Sequence, residues 1–492
     1  MDHTEAPVLE ALARYHERGF LPFTPPGHKQ GRGADPEARK VLGDEVFRAD
    51  VLAFGGLDDR LQSGGVLRRA EELMADAVRA DHTFFSTCGS SLSAKAAMLS
   101  VAGPHETLLV GRDAHKSVIS GLIISGVRPV WVEPRWDAAR HIAHPPSADD
   151  FARAFADHPE AKGALVTSPT PYGACADLAR IAEVCHRLRR PLIVDEAWGA
   201  HLPFCSGLPS WAMDAGADVC VTSIHKMGGG LEQGSVFHLQ GDLIDPAVLK
   251  SRADLLGTTS PNVLLHAVMD AWRRHMALHG GELMGAALRR AHTVRTDIEA
   301  IDGLHVDGHD DYVGPGLAAD IDPLPVVIDL TGLAVSGYRA ADWLRERHDV
   351  NAHLADHRRI SAQLTHADDA STTGALLASL RELVDHADEL RPAPEVAVPT
   401  PGELRMDQSH LPRDAYFGSV EDVPLDSAVG RVAAEMVTPY PPGIPAVLPG
   451  EVLKRPVLDY LRTGVAAGMN LPDPADPGLH TIRVLVEGTR AD

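Results

Sequence analysis

The chain has 492 residues, 44% of them hydrophobic, which is enough to bury a large core and predicts two or three domains rather than one. Its 68 acidic against 46 basic side chains give a formal charge of -22, which argues against a nucleic-acid partner and suits cationic small ligands. Five cysteines (Cys88, Cys175, Cys185, Cys205, Cys220) lack the paired short spacing of a zinc or disulfide framework, so no metal is expected and a reducing cytoplasm is the expected location.

The opening segment, MDHTEAPVLEALARYHERG, places Val8, Leu12 and Tyr15 on one helical face and carries charges throughout, unlike the apolar core of a signal peptide. No stretch approaches the ~20 apolar residues of a membrane span, so no membrane partner is expected. Leu21 to Gly33, LPFTPPGHKQGRG, is too rich in Pro and Gly for regular structure and reads as an extended arm, giving an N-terminal region of residues 1–64.

Beyond residue 65 the pattern alternates. A helical stretch at about 66–80 is followed by HTFFSTCGSS, whose turn residues lead into a second helical stretch at about 91–102. Short apolar runs follow, TLLVG, PVWVE, GALVTS, PLIVDE and DVCVTS, separated by helical patterns. This alternation predicts an α/β fold, a mostly parallel sheet with helices on both faces, in a large domain of residues 65–299. A long helical pattern from about 265 to 300 leads to a smaller α/β region at 300–391. Proline-rich RPAPEVAVPTPGE then reads as a linker to a final α+β domain at 404–492.

Ligands of such sheets sit beyond the carboxyl ends of the strands, where Ser168, Asp195 and Ser223 fall. An apolar strand ending in Asp195, followed by one delivering Ser223, His225 and Lys226, is what a pyridoxal phosphate site of the aminotransferase-like kind needs. A carboxylate ending an apolar strand is costly unless paired, and a protonated pyridine nitrogen is a suitable partner; helix capping is the plain alternative. Lys226 is a candidate to hold the aldehyde, with Ser223 and His225 in reach of the phosphate. Ser90 and Ser91, after Gly89, either cap a helix or bind phosphate through the same amides. The glycines 228–230 lack the Gly-Lys-Ser/Thr order of a nucleotide loop and are expected to let the backbone approach a neighbouring subunit. His115, in GRDAHKS, either lies flat on the cofactor ring or is an ordinary histidine.

Taken together, PFTPPGHKQG, FFSTCGSS, GRDAHKSVISGLIISG, VTSPTPYG, VDEAWGAH, SIHK and GTTSPN, with the tail LPRDAYFGSVEDVPLDSAVGRVAAEMVTPYPPGIPAVLPGE, resemble the bacterial ornithine/lysine/arginine decarboxylases, pyridoxal phosphate enzymes of fold type I. Ordinary aminotransferases share the lysine and aspartate but not this tail. The resemblance implies that Lys226 is the Schiff-base lysine, Asp195 the partner of the ring nitrogen and His115 the stacking imidazole. It also implies Ala197 and Trp198 against the ring, and Gly89, Ser90, Ser91, Ser223 and His225 around the phosphate. Thr259 or Ser260 would reach the neighbouring subunit's site in a homodimer or larger homo-oligomer. Departures from the common pattern stand at Cys88, Ala94, Trp198 and Val263.

The implied activity is decarboxylation of a basic L-amino acid, with arginine slightly favoured over lysine and ornithine because short members resemble arginine decarboxylases. Lys226 or His115 would return the proton to the substrate. A cationic substrate end calls for an acid, for which Glu451 and Asp58 in GGLDDR are candidates, with Tyr440 walling the entrance. Alternatives on the same scaffold are an aminotransferase, a lyase or an oxidative deaminase, and, in another class, a non-catalytic binding protein.

Overall fold

The computed structural model describes residues 1–53, 57 and 65–488. It divides into two compact units. The first comprises Met1–Val101, Pro191–Ser206 and Ser210–Met284, and the second Ala102–Arg190, Gly207–Pro209 and Gly285–Asp492.

In the first unit four strands lie in the order His82–Ser86, Ser235–Leu239, Val219–Ser223, Leu192–Asp195. The last two run parallel, with Asp195 opposite Val221, and every residue of both is buried. Strands covered on both faces read as unbroken apolar runs, which is why LIVD and VCVT show in the sequence. The other two strands pair antiparallel, His82 opposite Leu239 and Ser235 opposite Ser223. No strand is expected from the sequence at HTFFS or SVFHL. Each is only five residues long and abuts a glycine turn, too short for a period to show.

Helix Pro7–Arg18 forms as the apolar spacing predicts, burying Val8, Ala11 and Leu12 and ending at Gly19 in the left-handed region. What ties it down was not visible in the sequence. Arg273 and Asp270 form a fully buried ion pair at 2.7 Å. Arg273 donates to the carbonyl of Glu5, and Asp270 accepts from the amide of Val8. Removing either partner strands a buried charge, a loss of about 3–5 kcal/mol. After the irregular Leu21–Gly33 segment come two short helices the sequence reading missed, Pro36–Leu42, capped by Asp35, and Asp44–Ala49.

The second unit holds three parallel strands in the order Ala164–Thr167, Thr107–Gly111, Arg128–Val132. Beside these stands an antiparallel sheet ordered His305–Asp307, Pro325–Asp329, Arg359–Gln363, Leu354–Ala355. Near the end of the chain, Val420–Pro424 pairs with Thr481–Leu485, and helix Arg455–Ala467 buries Val457, Leu458 and Leu461 in a cluster with Val437 and Val447. The parallel pairings give the mostly parallel α/β sheet that the alternation predicts, the antiparallel strands of the first unit being its exception. The helix predicted near 265–300 runs from Val263 to Glu299.

His238 is buried between neighbouring strands, its two ring nitrogens 3.0 Å from Thr83 Oγ1 and 3.2 Å from Thr222 Oγ1. Burial pushes its pKa down to about 3. The unfolded chain therefore takes up the proton first, so stability falls as pH drops below about 6.5, by about 1.4 kcal/mol per unit until the folded-state pKa is reached. Denaturant unfolding of His238→Gln at pH 6 and pH 4 is expected to show a shallower acid loss than the unsubstituted chain. An unchanged slope would show that this ring does not contribute.

Candidate active site

The first unit brings most of the chemistry-bearing residues to the carboxyl ends of its two parallel strands. Asp195 closes one strand and Ser223 the other, and the single-turn helix Ile224–Met227 carries His225 and Lys226 directly beyond. Lys226 Nζ sits 4.0 Å from the centroid of the Trp198 ring. Burial lowers the pKa of this amine, opposed by the charges of Asp195 and Glu232. Asp195 is shifted the other way, upward, by its own burial, opposed by Lys226. Both groups are thus drawn toward their neutral forms while attracting each other. The Asp195 carboxylate accepts a hydrogen bond at 3.3 Å from the amide of buried Ala197.

Opposite these, helix Gly89–Val101 begins with the serines of CGSS. Ser223 Oγ donates to Ser90 Oγ at 2.8 Å, so two hydroxyls from distant parts of the sequence form one polar pair at a helix N-terminus. Ser91 is exposed and Gly89 half-buried. His225 Nδ1 lies 3.0 Å from the carbonyl of Gly234, to which it donates, and Nε2 lies 3.8 Å from Glu232. Thr259 and Ser260 are both exposed.

Within the chain, a Cβ on Gly228 would lie 2.6 Å from the carbonyl of Ile224 and 2.9 Å from the Trp272 indole, one on Gly229 3.2 Å from that indole, and one on Gly230 2.8 Å from the Ile224 side chain. The backbone here thus lies close against the long helix of the same chain, through Trp272. Glu196 was missed by the sequence reading. It is fully buried beside Asp195, burial raises its carboxyl well above the usual range, and it accepts from the amide of Ala212 and the thiol of Cys220.

His115, Tyr440 and Glu451 belong to the second unit. His115 caps helix Lys116–Ser125, its Nδ1 accepting from the amide of Ser117 at 3.2 Å, so the neutral ring carries its proton on Nε2. Gly443 packs against that ring: a Cβ there would lie 2.8 Å from Nε2, and its φ of +89 also demands glycine. Exposed Tyr440 takes the Lys116 ammonium over its ring at 5.2 Å. Glu451, 2% exposed, pairs with Arg112 at 3.2 Å and accepts from the amide of Leu448. Asp58 lies outside the described residues.

Comparison with known proteins adds the family. The sequence model for the Orn/Lys/Arg decarboxylase major domain matches residues 6–309, and that for the C-terminal domain residues 396–476. The arginine decarboxylase of Halalkalibacterium halodurans is 37% identical over 486 residues, covering 98% of both chains. That of Bacillus subtilis is 35% identical over 490 residues, covering 99% of both. Among solved structures, the constitutive lysine decarboxylase of E. coli superposes with a TM-score of 0.79 at 22% identity, over 99% of this chain and 82% of that one, a likeness of fold. The half-buried lysine and buried aspartate thus stand in a chain that belongs to the Orn/Lys/Arg decarboxylase family.

Proposed function

We propose that this chain removes the carboxyl group of a basic L-amino acid, arginine ahead of lysine and ornithine, and releases the corresponding amine. The observation that carries the reading is the partly desolvated Lys226 amine against Trp198, paired electrostatically with buried Asp195, in a chain of this family. Full-length identity of 35 to 37% to proteins named arginine decarboxylase supports arginine over the other two.

The cofactor in this reading is pyridoxal phosphate, which the family implies and the donor set fits. The Asp195 carboxylate is a buried acid that a protonated ring nitrogen would satisfy. Ser90 and Ser223, with the amides of Ser90 and Ser91, are donors suited to a phosphate at a helix start, and His225 would donate to it from Nε2. Ala197 and Trp198 are proposed against the ring, His115 flat on its other face, and Thr259 or Ser260 at the site of a second subunit. When bound, the group supplies an electron sink for the carbon that loses its carboxyl.

The chain's own residues do the rest. The lowered pKa of Lys226 raises the neutral fraction of its Nζ, which would hold an aldehyde carbon of the cofactor, and the same amine would return a proton to the substrate's α-carbon. His115, with its proton on Nε2, is the second candidate donor. Asp195 holds the ring nitrogen's proton, and the burial that makes it costly alone strengthens that pairing. On the substrate side, Tyr440 is proposed as wall and Glu451 as the acid facing the cationic end; Asp58 is proposed with it.

We place the enzyme in the cytoplasm as a homodimer or higher homo-oligomer. No helix among the described residues is long and apolar enough to cross a membrane. Leu21, Phe23, Val41 and Leu42 are exposed, Phe23 at 94%, which is apolar surface suited to a neighbouring subunit. The domain division at 1–64, 65–299, 300–391 and 404–492 belongs to the same proposal.

Purified protein supplied with cofactor and, separately, arginine, lysine and ornithine is expected to release carbon dioxide and yield mainly agmatine by mass; a keto acid in place of carbon dioxide would overturn the reading. Lys226→Ala is expected to lower turnover by at least about a thousandfold. Trp198→Ala is expected to weaken cofactor retention about tenfold and Trp198→Phe much less, because the flat aromatic face is what shields the amine. Equal losses in a cofactor titration followed by absorbance would refute that role for the indole.

A further inference from the structure

One group of side chains in the second unit, apart from the residues discussed so far, has the composition of a metal centre. His305 and Asp307 lie two apart on the strand His305–Asp307 and so share a face. Asp311 reaches the same place from the single-turn helix His309–Tyr312, where its Oδ2 accepts from the amide of Gly308 at 2.8 Å. One nitrogen or oxygen from each of the three lies within 4.8 Å of the other two. His305 Nε2 is 3.2 Å from Asp311 Oδ2 and 3.9 Å from Asp307 Oδ1. A tetrahedral ion with bonds of about 2.0–2.2 Å needs its ligand atoms about 3.3–3.6 Å apart, so small movements close this set around one.

The atoms outside that triangle are held as they are around a bound metal. His305 Nδ1 lies 3.0 Å from Glu299 Oε1, at the end of helix Val263–Glu299, and the other oxygen of Glu299 accepts from the amide of Val306 at 2.8 Å. A neutral imidazole that donates to Glu299 turns a lone pair, not a proton, toward Asp311. Asp307 is 1% exposed; its Oδ2 accepts from the Tyr312 hydroxyl, while its Oδ1 accepts no hydrogen bond among the described residues. A second ring proton on His305 would satisfy Asp311 alone, whereas a metal ion on Nε2 satisfies Asp307 as well. The nearby guanidiniums do not fill that place. Arg140 holds Asp137 and Asp311 Oδ1, and Arg359 holds Asp356 and the carbonyl of Arg140. Their distances to Asp307, 3.9 and 3.7 Å, are too long for hydrogen bonds.

We propose that this group is a binding site for a divalent transition cation of the Zn2+ kind, with His305 Nε2, Asp307 and Asp311 as ligands, water in the open position and Glu299 as the carboxylate that orients the imidazole. One nitrogen with two carboxylates suits such an ion better than Mg2+, which takes six oxygens at near-ideal octahedral geometry. Cysteine spacing gives no sign of the site because its donors are nitrogen and oxygen. The bound ion ties the end of the long helix, through Glu299 and His305, to the antiparallel sheet of the second unit. The site stands on the second unit alone and does not depend on the reading of Lys226.

The test titrates Zn2+ into the chelator-treated full chain in competition with a chromophoric chelator. One zinc equivalent is expected to bind more tightly than any other and to persist in a large excess of Mg2+. Glu299→Gln is expected to weaken that equivalent about tenfold, and His305→Ala to remove it while leaving the melting temperature in chelator unchanged, since the His305 side chain is 47% exposed. Asp311→Asn serves in its place if His305→Ala does not fold. Absence of a tight equivalent, displacement by Mg2+, an equivalent that survives loss of the ligand residue, or an unchanged affinity in Glu299→Gln would each overturn the proposal.

Discussion

A lysine amine pressed against an indole, with a buried carboxylate as its counter-charge, is the arrangement on which the rest of this chain depends. Either charge alone would be expensive at such a place, and together they are still pulled toward neutrality, Lys226 down and Asp195 up. The chain holds them there through its most rigid parts. Two fully buried parallel strands run side by side, Ser223 ending two residues beyond the point opposite Asp195, a one-turn helix follows Ser223, and glycines 228 and 229 let that turn lie on Trp272. A group held this tightly and satisfied this poorly is poised for a ligand, and a cofactor with an aldehyde, a basic ring nitrogen and a phosphate answers each deficit.

The second unit shows a comparable economy. The tail that marks the family is bound to the segment GRDAHKS, more than 300 residues earlier. Arg112 reaches Glu451 and the carbonyl of Pro445, Lys116 reaches Tyr440 and Asp473, and Gly443 lies against the His115 ring. His115 cannot be repositioned without disturbing the tail, which gives a physical reason for these two segments to occur together. The same packing buries the Asp113 carboxyl, two residues before His115, without a hydrogen-bond partner among the described residues.

Much of this was legible in the sequence because buried parallel strands advertise themselves. PLIVDE, DVCVTS, GALVTS and TLLVG all became strands within a residue or two of their apolar limits, and the acid and hydroxyl at their ends were readable from the break in hydrophobicity. The antiparallel strands were not legible: HTFFS and SVFHL take their identity as strands from pairing across 150 residues, and SVFHL also from VCVTS, not from a local period. Within the site, Lys226 and Asp195 could be singled out by residue type. The Ser90 to Ser223 hydrogen bond, the Trp198 lid and the Arg112 to Glu451 pair depend on long-range contacts that spacing does not encode. The approach of Gly228 and Gly229 to Trp272 likewise has no local signal.

The central claim is that residue 226, among all the lysines of the chain, is the amine prepared to bind an aldehyde. Borohydride reduction of the protein with pyridoxal phosphate, followed by peptide mass mapping, tests it directly. The account predicts one phosphopyridoxyl group per chain, on Lys226, with the yield falling sharply in Asp195→Ala. Stoichiometric labelling of another lysine, or labelling of Lys226 indifferent to the loss of Asp195, would contradict it.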